Sequence, residues 1–160
     1  MIQHIDVHAM LRESVSTMYA DLVTRPTGRV VRERIERAIA SSDGRDAQGA
    51  AGGGEDDVTI ARMDFTGVGC IDYSCADEIV AKLLRGMRPA VLLLSGLADG
   101  HRDAIDAVLT GHGLAALLEA PDGTLDALGA PEAAAALVRE LLARHLAAPT
   151  PGGALALTLA

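Results

Sequence analysis

The sequence predicts an α/β layer structure in one domain, with helices packed on a β-sheet. Three observations carry that expectation. Apolar segments of period two alternate along the chain with segments of helical period. Pro89 to Leu94 is a continuous apolar run, the mark of a strand covered on both faces. With 160 residues, of which 49% are hydrophobic, the chain is long enough to bury one core.

The opening residues alternate, with Ile5, Val7 and Ala9 on one side of an expected strand and His4, Asp6 and His8 on the other. A second, weaker strand is expected from about Val15 to Val23. Thr24-Arg25-Pro26 then reads as a helix start, Thr24 being the N-cap and Pro26 lying in the first turn. That helix turns Val31, Ile35, Ala38 and Ile39 inward and ends near Ser41-Ser42-Asp43-Gly44. The stretch from Asp43 to Asp57, with Gly52-Gly53-Gly54 at its centre, has nothing to fill a core and reads as a mobile surface loop.

Val58 to Phe65 is a strand that ends in Thr66-Gly67-Val68-Gly69, and Tyr73 to Arg85 is a helix with Ala76, Ile79, Val80, Leu83 and Leu84 as its stripe. After the 89–94 strand comes a helix over Asp99 to Gly111. Leu114 to Ala120 and Thr124 to Leu128 form short strands around the Pro121-Asp122-Gly123 turn. Glu132 to Leu146 is an amphipathic helix that presents Leu137, Val138, Leu141 and Leu142. The domain is expected to span residues 1–148. The tail, 149–160, in which Leu155, Leu157 and Leu159 alternate, is either an added edge strand or a disordered end.

Composition narrows the function classes. Aromatic residues make up 2%, leaving no stacking platforms for single-stranded nucleic acid, and the net charge of -8 repels phosphate backbones. The N-terminus shows no basic region followed by an apolar run, so no signal peptide is read there, and no apolar stretch has the length of a membrane span. Cys70 and Cys75 alone make neither a disulfide scaffold nor a four-ligand zinc site. A reduced cytoplasmic protein, bound to neither nucleic acid nor membrane, is the simplest reading.

The middle of the chain carries a signature. Asp21-Leu22-Val23-Thr24 leads into a helix, a strand ends in Asp64-Phe65-Thr66-Gly67-Val68, and Ile71-Asp72-Tyr73-Ser74 opens the next helix. This resembles the STAS domains of anti-sigma factor antagonists. In those, a Leu-Asp-Leu-Ala-Thr type segment starts the first helix, and an Asp-Leu-Ser-Gly-Val strand end precedes Ile-Asp-Ser-Ser-Gly. The continuation Cys75-Ala76-Asp77-Glu78-Ile79 departs from that pattern and is closer to a STAS-like branch in which Phe-Ala-Asp-Glu follows the serine position. The resemblance covers roughly Val15 to Leu118. It implies a mixed β-sheet with helices mainly on one face, and a regulatory role without a cofactor. It also implies partner switching with an anti-sigma factor or a kinase-fold ATPase, broken by phosphorylation of the serine that aligns with Ser74.

A serine at a helix N-terminus is exposed, and free backbone N–H groups there can hold a phosphate; the plainer reading of Ser74 is a helix cap alone. Asp77 and Glu78, one turn further in, oppose a phosphate at Ser74. The partner surface expected from this reading comprises Asp72, Tyr73, Ser74, Cys75, Asp77, Glu78, Arg25 and Arg29. Arg25, Arg29, Arg32 and Arg37 form a basic stripe that either meets an acidic partner or is solvated and paired with Glu33 and Glu36.

Other readings compete. His4, Asp6 and His8 on one strand face would suit a metal, but the favoured reading is the solvent side of a strand opposite Ile5 and Val7, and no metal is assigned. Cys70 or Cys75 with His101 or His112 would suit a thiol enzyme or redox sensor, and a helix N-terminus would lower the Cys75 pKa. A homodimer through the tail strand is a third reading. Neither glycine cluster is a P-loop, because no Lys-Ser or Lys-Thr follows and Lys82, the only lysine, lies mid-helix.

Overall fold

The structure is a computed structural model that describes residues 2–15, 21–49, 59–86 and 90–158. The element order is β1 (Ile2–Asp6), α1 (Val7–Ser14), α2 (Arg25–Gly49), β2 (Thr59–Asp64), α3 (Tyr73–Ala76), a π-helical segment (Asp77–Lys82), α4 (Leu83–Gly86), β3 (Ala90–Ser95), α5 (Asp99–Gly111), β4 (Ala115–Glu119), β5 (Thr124–Gly129), α6 (Pro131–Ala143), β6 (Ala147–Pro149) and β7 (Leu155–Leu157). The strands form one sheet in the order β1-β2-β3-β4-β5-β7-β6. β1 to β4 are parallel, and β4, β5, β7 and β6 pair antiparallel. The fold is therefore the expected α/β arrangement on a mixed sheet. Parallel strands need crossovers, and the helices supply them.

Alternation along the strands builds a core on each face. Met63, Phe65, Leu92 and Leu94 face α1 to α5, while Ile60, Val91, Leu93 and Leu117 face the other way, toward Leu141 of α6. Helices thus lie mainly on one face, with α6 alone among the described helices on the second.

Several sequence expectations are corrected. The first strand stops at Asp6, whose side chain accepts from the Ala9 amide and caps α1. Val7, His8 and Ala9 are therefore helical, with Val7 and Leu11 buried four residues apart. This removes His8 from the strand face shared by His4 and Asp6. Of the expected 15–23 strand, residues 16–20 lie outside the described residues, and Leu22 makes an isolated parallel bridge with Ile71. α2 runs on to Gly49, five residues beyond Gly44. One helical glycine costs only about 1 kcal/mol, and Arg45, Ala47 and Gln48 favour helix. Of the expected 43–57 loop, the part from residue 50 on lies outside the described residues.

On α6, Leu141 is buried but Leu142 is exposed, so the apolar stripe is narrower than its periodicity suggests. The tail is not an outer edge: β7 lies between β5 and β6, and β6, ending in Pro149, forms the edge. A proline at an edge lacks the N–H that another strand would pair with.

Candidate functional site

Two short segments distant in sequence are stitched together beside the β2–α3 turn. The Leu22 amide donates to the Cys70 carbonyl (2.7 Å), the Asp72 amide to the Leu22 carbonyl (2.9 Å), and the Cys70 amide to the Asp21 carboxylate (2.8 Å). This clamp sets the start of α2 against the start of α3. Their approach is close: a Cβ on Gly28 would come within 3.0 Å of Cys75 Cα.

Asp72 is the pivot of the clamp. It is the N-cap of α3, its Oδ1 accepting from the Cys75 amide (2.8 Å) and from the Ser74 hydroxyl (2.8 Å). Its Oδ2 accepts from the Thr24 amide at the foot of α2 (3.0 Å). Burial alone would push this carboxyl up, but the Cys75 and Thr24 amides and the Ser74 hydroxyl together hold it below its ordinary value. The capping role therefore falls to Asp72, not to Ser74. Thr24 sits at φ 72°, a left-handed conformation that a β-branched residue seldom adopts and that costs about 1–3 kcal/mol. The clamp holds that strain in place.

Ser74 is half-buried and Tyr73, its neighbour in the chain, is 53% exposed; positions 66–67 and 69–70 of the preceding loop are exposed too. Arg29 is exposed too, as the partner-surface reading expected. Three other residues of that expected surface point inward: Cys75 and Glu78 are fully buried and Asp77 nearly so, which takes their side chains away from a docking partner. The sequence missed why. Glu78 accepts from Arg25 Nη1 (3.1 Å), Arg32 Nε (3.0 Å) and Lys82 Nζ (2.8 Å). Asp77 accepts from Arg25 Nη1 (2.7 Å) and His112 Nε2 (2.8 Å). Two of the four arginines of the basic stripe are thus internal counter-charges: Arg25 and Arg32 turn toward Asp77 and Glu78, and among the described residues the Arg32–Glu36 pair alone follows the expected helical pattern on α2. The π-helical turn at Asp77–Lys82 is the local distortion at this network.

The cysteines separate. Burial, together with the Asp72 charge, pushes the Cys75 thiol up to about 12, the opposite of the lowering expected at a helix start. Its Sγ donates to the Thr24 carbonyl (3.0 Å). Neither histidine reaches it. His101 accepts from the Ala98 amide at Nδ1 and so donates from Nε2 to the Gly69 carbonyl, while His112 lies on Asp77. Cys70 is exposed. In the folded protein a thiol reagent is expected to label Cys70 and leave Cys75 unreacted until denaturant is added. Stoichiometric labelling of both thiols under native conditions would contradict the placement.

His4 and Asp6 meet at a different place, a pocket of about 200 Å³ that they line with Ile5, Arg62, Asp64 and Ser95. His8 turns away to lie against Gly67. Among the described residues, no three His, Cys, Asp or Glu side chains are grouped to hold a metal ion. Among the same residues, no helix is long and apolar enough to cross a membrane. Set against known protein families, curated proteins and solved structures, the chain matches none.

Proposed function

We propose that this chain is a regulatory protein-binding domain, a cytoplasmic partner switch and not an enzyme, controlled at Ser74. The observation that carries this reading is the Ser74 hydroxyl lying 2.8 Å from the pivot carboxylate Asp72, beside the exposed ring of Tyr73. A phosphate on Ser74 would bring roughly two negative charges against an ionised Asp72. Like charges in hydrogen-bond contact cannot both stay, so Asp72 would release the Thr24 and Cys75 amides. Freed of that anchor, the strained Thr24 turn would relax and the foot of α2 would lift from α3. The modification would thereby reshape the surface as well as charge it.

The docking surface in this reading consists of Asp72, Tyr73, Ser74 and Arg29, with Arg25 contributing through the part of its side chain that reaches solvent. The partner class comes from the resemblance of the Asp64-to-Ser74 segment to anti-sigma factor antagonists: an anti-sigma factor or a kinase-fold ATPase. The test is a pull-down from the native cell with wild type, Ser74→Ala and Ser74→Asp. Wild type and Ser74→Ala are expected to retain one ATPase-fold protein, and Ser74→Asp to lose it by about tenfold or more, the effect of one charge-assisted contact. A set of captured proteins unaffected by position 74 contradicts the reading.

A further inference from the structure

The pocket lined by His4, Asp6, Arg62, Asp64 and Ser95 lies apart from the Ser74 contacts in its chemistry and is built by the sheet itself. Asp6, Asp64 and Ser95 are in register across β1, β2 and β3, and His4 is in register with Arg62 one row earlier. Neighbouring strands are about 4.8 Å apart, so the two carboxylates stand side by side. They occupy the carboxyl ends of parallel strands, the end at which α/β sheets gather ligands.

Each carboxylate is oriented by the backbone. Asp6 Oδ1 accepts from the Ala9 amide, and Asp64 Oδ1 accepts from both the amide and hydroxyl of Thr66. Among the described residues no cation pairs with either. Among the same residues, Arg62 gives Nη2 to Glu119 (3.0 Å) and pairs with neither Asp6 nor Asp64, so the two carboxylates lack a cation and the other guanidinium N–H groups lack an acceptor. Its Nε is buried with no hydrogen-bond partner, a state that costs about 1–3 kcal/mol. Asp64 is closely packed behind the pocket's lining: Gly96, at φ 69°, lies so close to Asp64 and Thr66 that a Cβ there would sit 2.6 Å from Asp64 Oδ1.

A complementary occupant carries positive charge with hydrogen-bond donors for Asp6 and Asp64, and an acceptor for the guanidinium of Arg62. A volume of about 200 Å³ is below the roughly 300–1,000 Å³ of drug-sized sites and selects a small metabolite. Two carboxylates and a serine fall short of the roughly six to eight oxygens of a Ca²⁺ cage; Mg²⁺, which binds through one or two carboxylates and keeps its waters, is the competing occupant. The geometry points to a binding site for a small zwitterion of the α-amino acid type, its ammonium held between Asp6 and Asp64 and its carboxylate toward Arg62.

The test is an amide NMR titration of the full chain with each common L-α-amino acid, and separately with ethylamine, acetate and Mg²⁺. At least one amino acid is expected to shift residues 4–6, 62–64 and 95 saturably, and about tenfold or more tighter than ethylamine or acetate, which keep only one of the two charges. Asp6→Asn and Asp64→Asn retain the oxygen that caps the backbone while removing the charge. Each is expected to weaken that amino acid by roughly tenfold or more with the spectrum otherwise native. The inference is overturned if no amino acid saturates these positions. It is equally overturned if Mg²⁺ does so in their place, or if both asparagine variants bind as wild type does.

Discussion

Replacing Glu78 with Gln is expected to destabilise the protein by about 2–4 kcal/mol, although the two side chains have nearly the same shape. Glu78 is fully buried and is the shared acceptor of Arg25, Arg32 and Lys82. A neutral amide leaves those three cations without their counter-charge and turns an NH₂ donor toward other donors. Removing one partner from a fully buried ion pair costs about 3–5 kcal/mol. The figure here is lower because Arg25 and Lys82, with side chains 40% and 38% exposed, can recover part of their hydration. Urea unfolding measures the difference, and a variant within about 0.5 kcal/mol of wild type would place Glu78 among ordinary surface residues.

The same network sets the acid limb of stability. For Glu78, burial pushes the carboxyl up, but hydrogen bonds from Lys82, Arg25 and Arg32 outweigh it and hold the group below its usual 4.5. For Asp77, burial is likewise outweighed by the bonds from Arg25 and His112, and the group lies below its usual 3.8. A folded-state pKa lower than the unfolded one means the unfolded chain binds protons first as pH falls. The stabilisation is therefore complete above those ordinary values and is lost as pH drops through the lower folded ones. In the same urea series, wild type is expected to lose stability from about pH 5 downward more steeply than Glu78→Gln, which lacks one of the two carboxyls.

Much of the fold was legible because its signals are local. The apolar run before Ser95 became β3, the helix over Asp99–Gly111 has the bounds that periodicity and its glycine stop indicated, and Pro121-Asp122-Gly123 does join two strands. The first helix was hidden by a coincidence of period. Ile5 and Val7 alternate with His4 and Asp6 as a strand would, and the cue that Asp6 caps a helix carrying Val7 and Leu11 is short. β6 was unreadable, being three residues that end in proline.

The site was legible only in part. Asp72 and Ser74 stand together because they are two residues apart on one turn. The burial of Asp77 and Glu78 was not visible, because their arginine partners lie about fifty residues upstream and meet them only when α2 crosses α3. The pairing of Asp6 with Asp64 likewise exists only in the register of β1 against β2. Charges at unremarkable helical and strand positions take on meaning only through such long-range contacts.

Ser74→Asp is expected to loosen the foot of α2, against the ordinary rule for helix starts. An acid in the first turn of a helix contributes about 0.3–1 kcal/mol of stability through the helix dipole. Here the new carboxylate would stand where the serine hydroxyl now meets Asp72, and its repulsion acts on the residue that caps α3 and anchors Thr24. A lost helix cap costs about 1 kcal/mol. A second backbone hydrogen bond costs about as much again. The balance favours opening by about 1–1.5 kcal/mol, with Ser74→Asn as the uncharged control of similar size.

Amide hydrogen exchange at Thr24 and Cys75, compared among wild type, Ser74→Asn and Ser74→Asp, probes this pivot residue by residue. Both amides are expected to exchange roughly tenfold faster in Ser74→Asp alone, and to do so together, because one carboxylate holds them. Unchanged or greater protection at both positions in Ser74→Asp would show that charge at residue 74 does not reach the α2–α3 clamp.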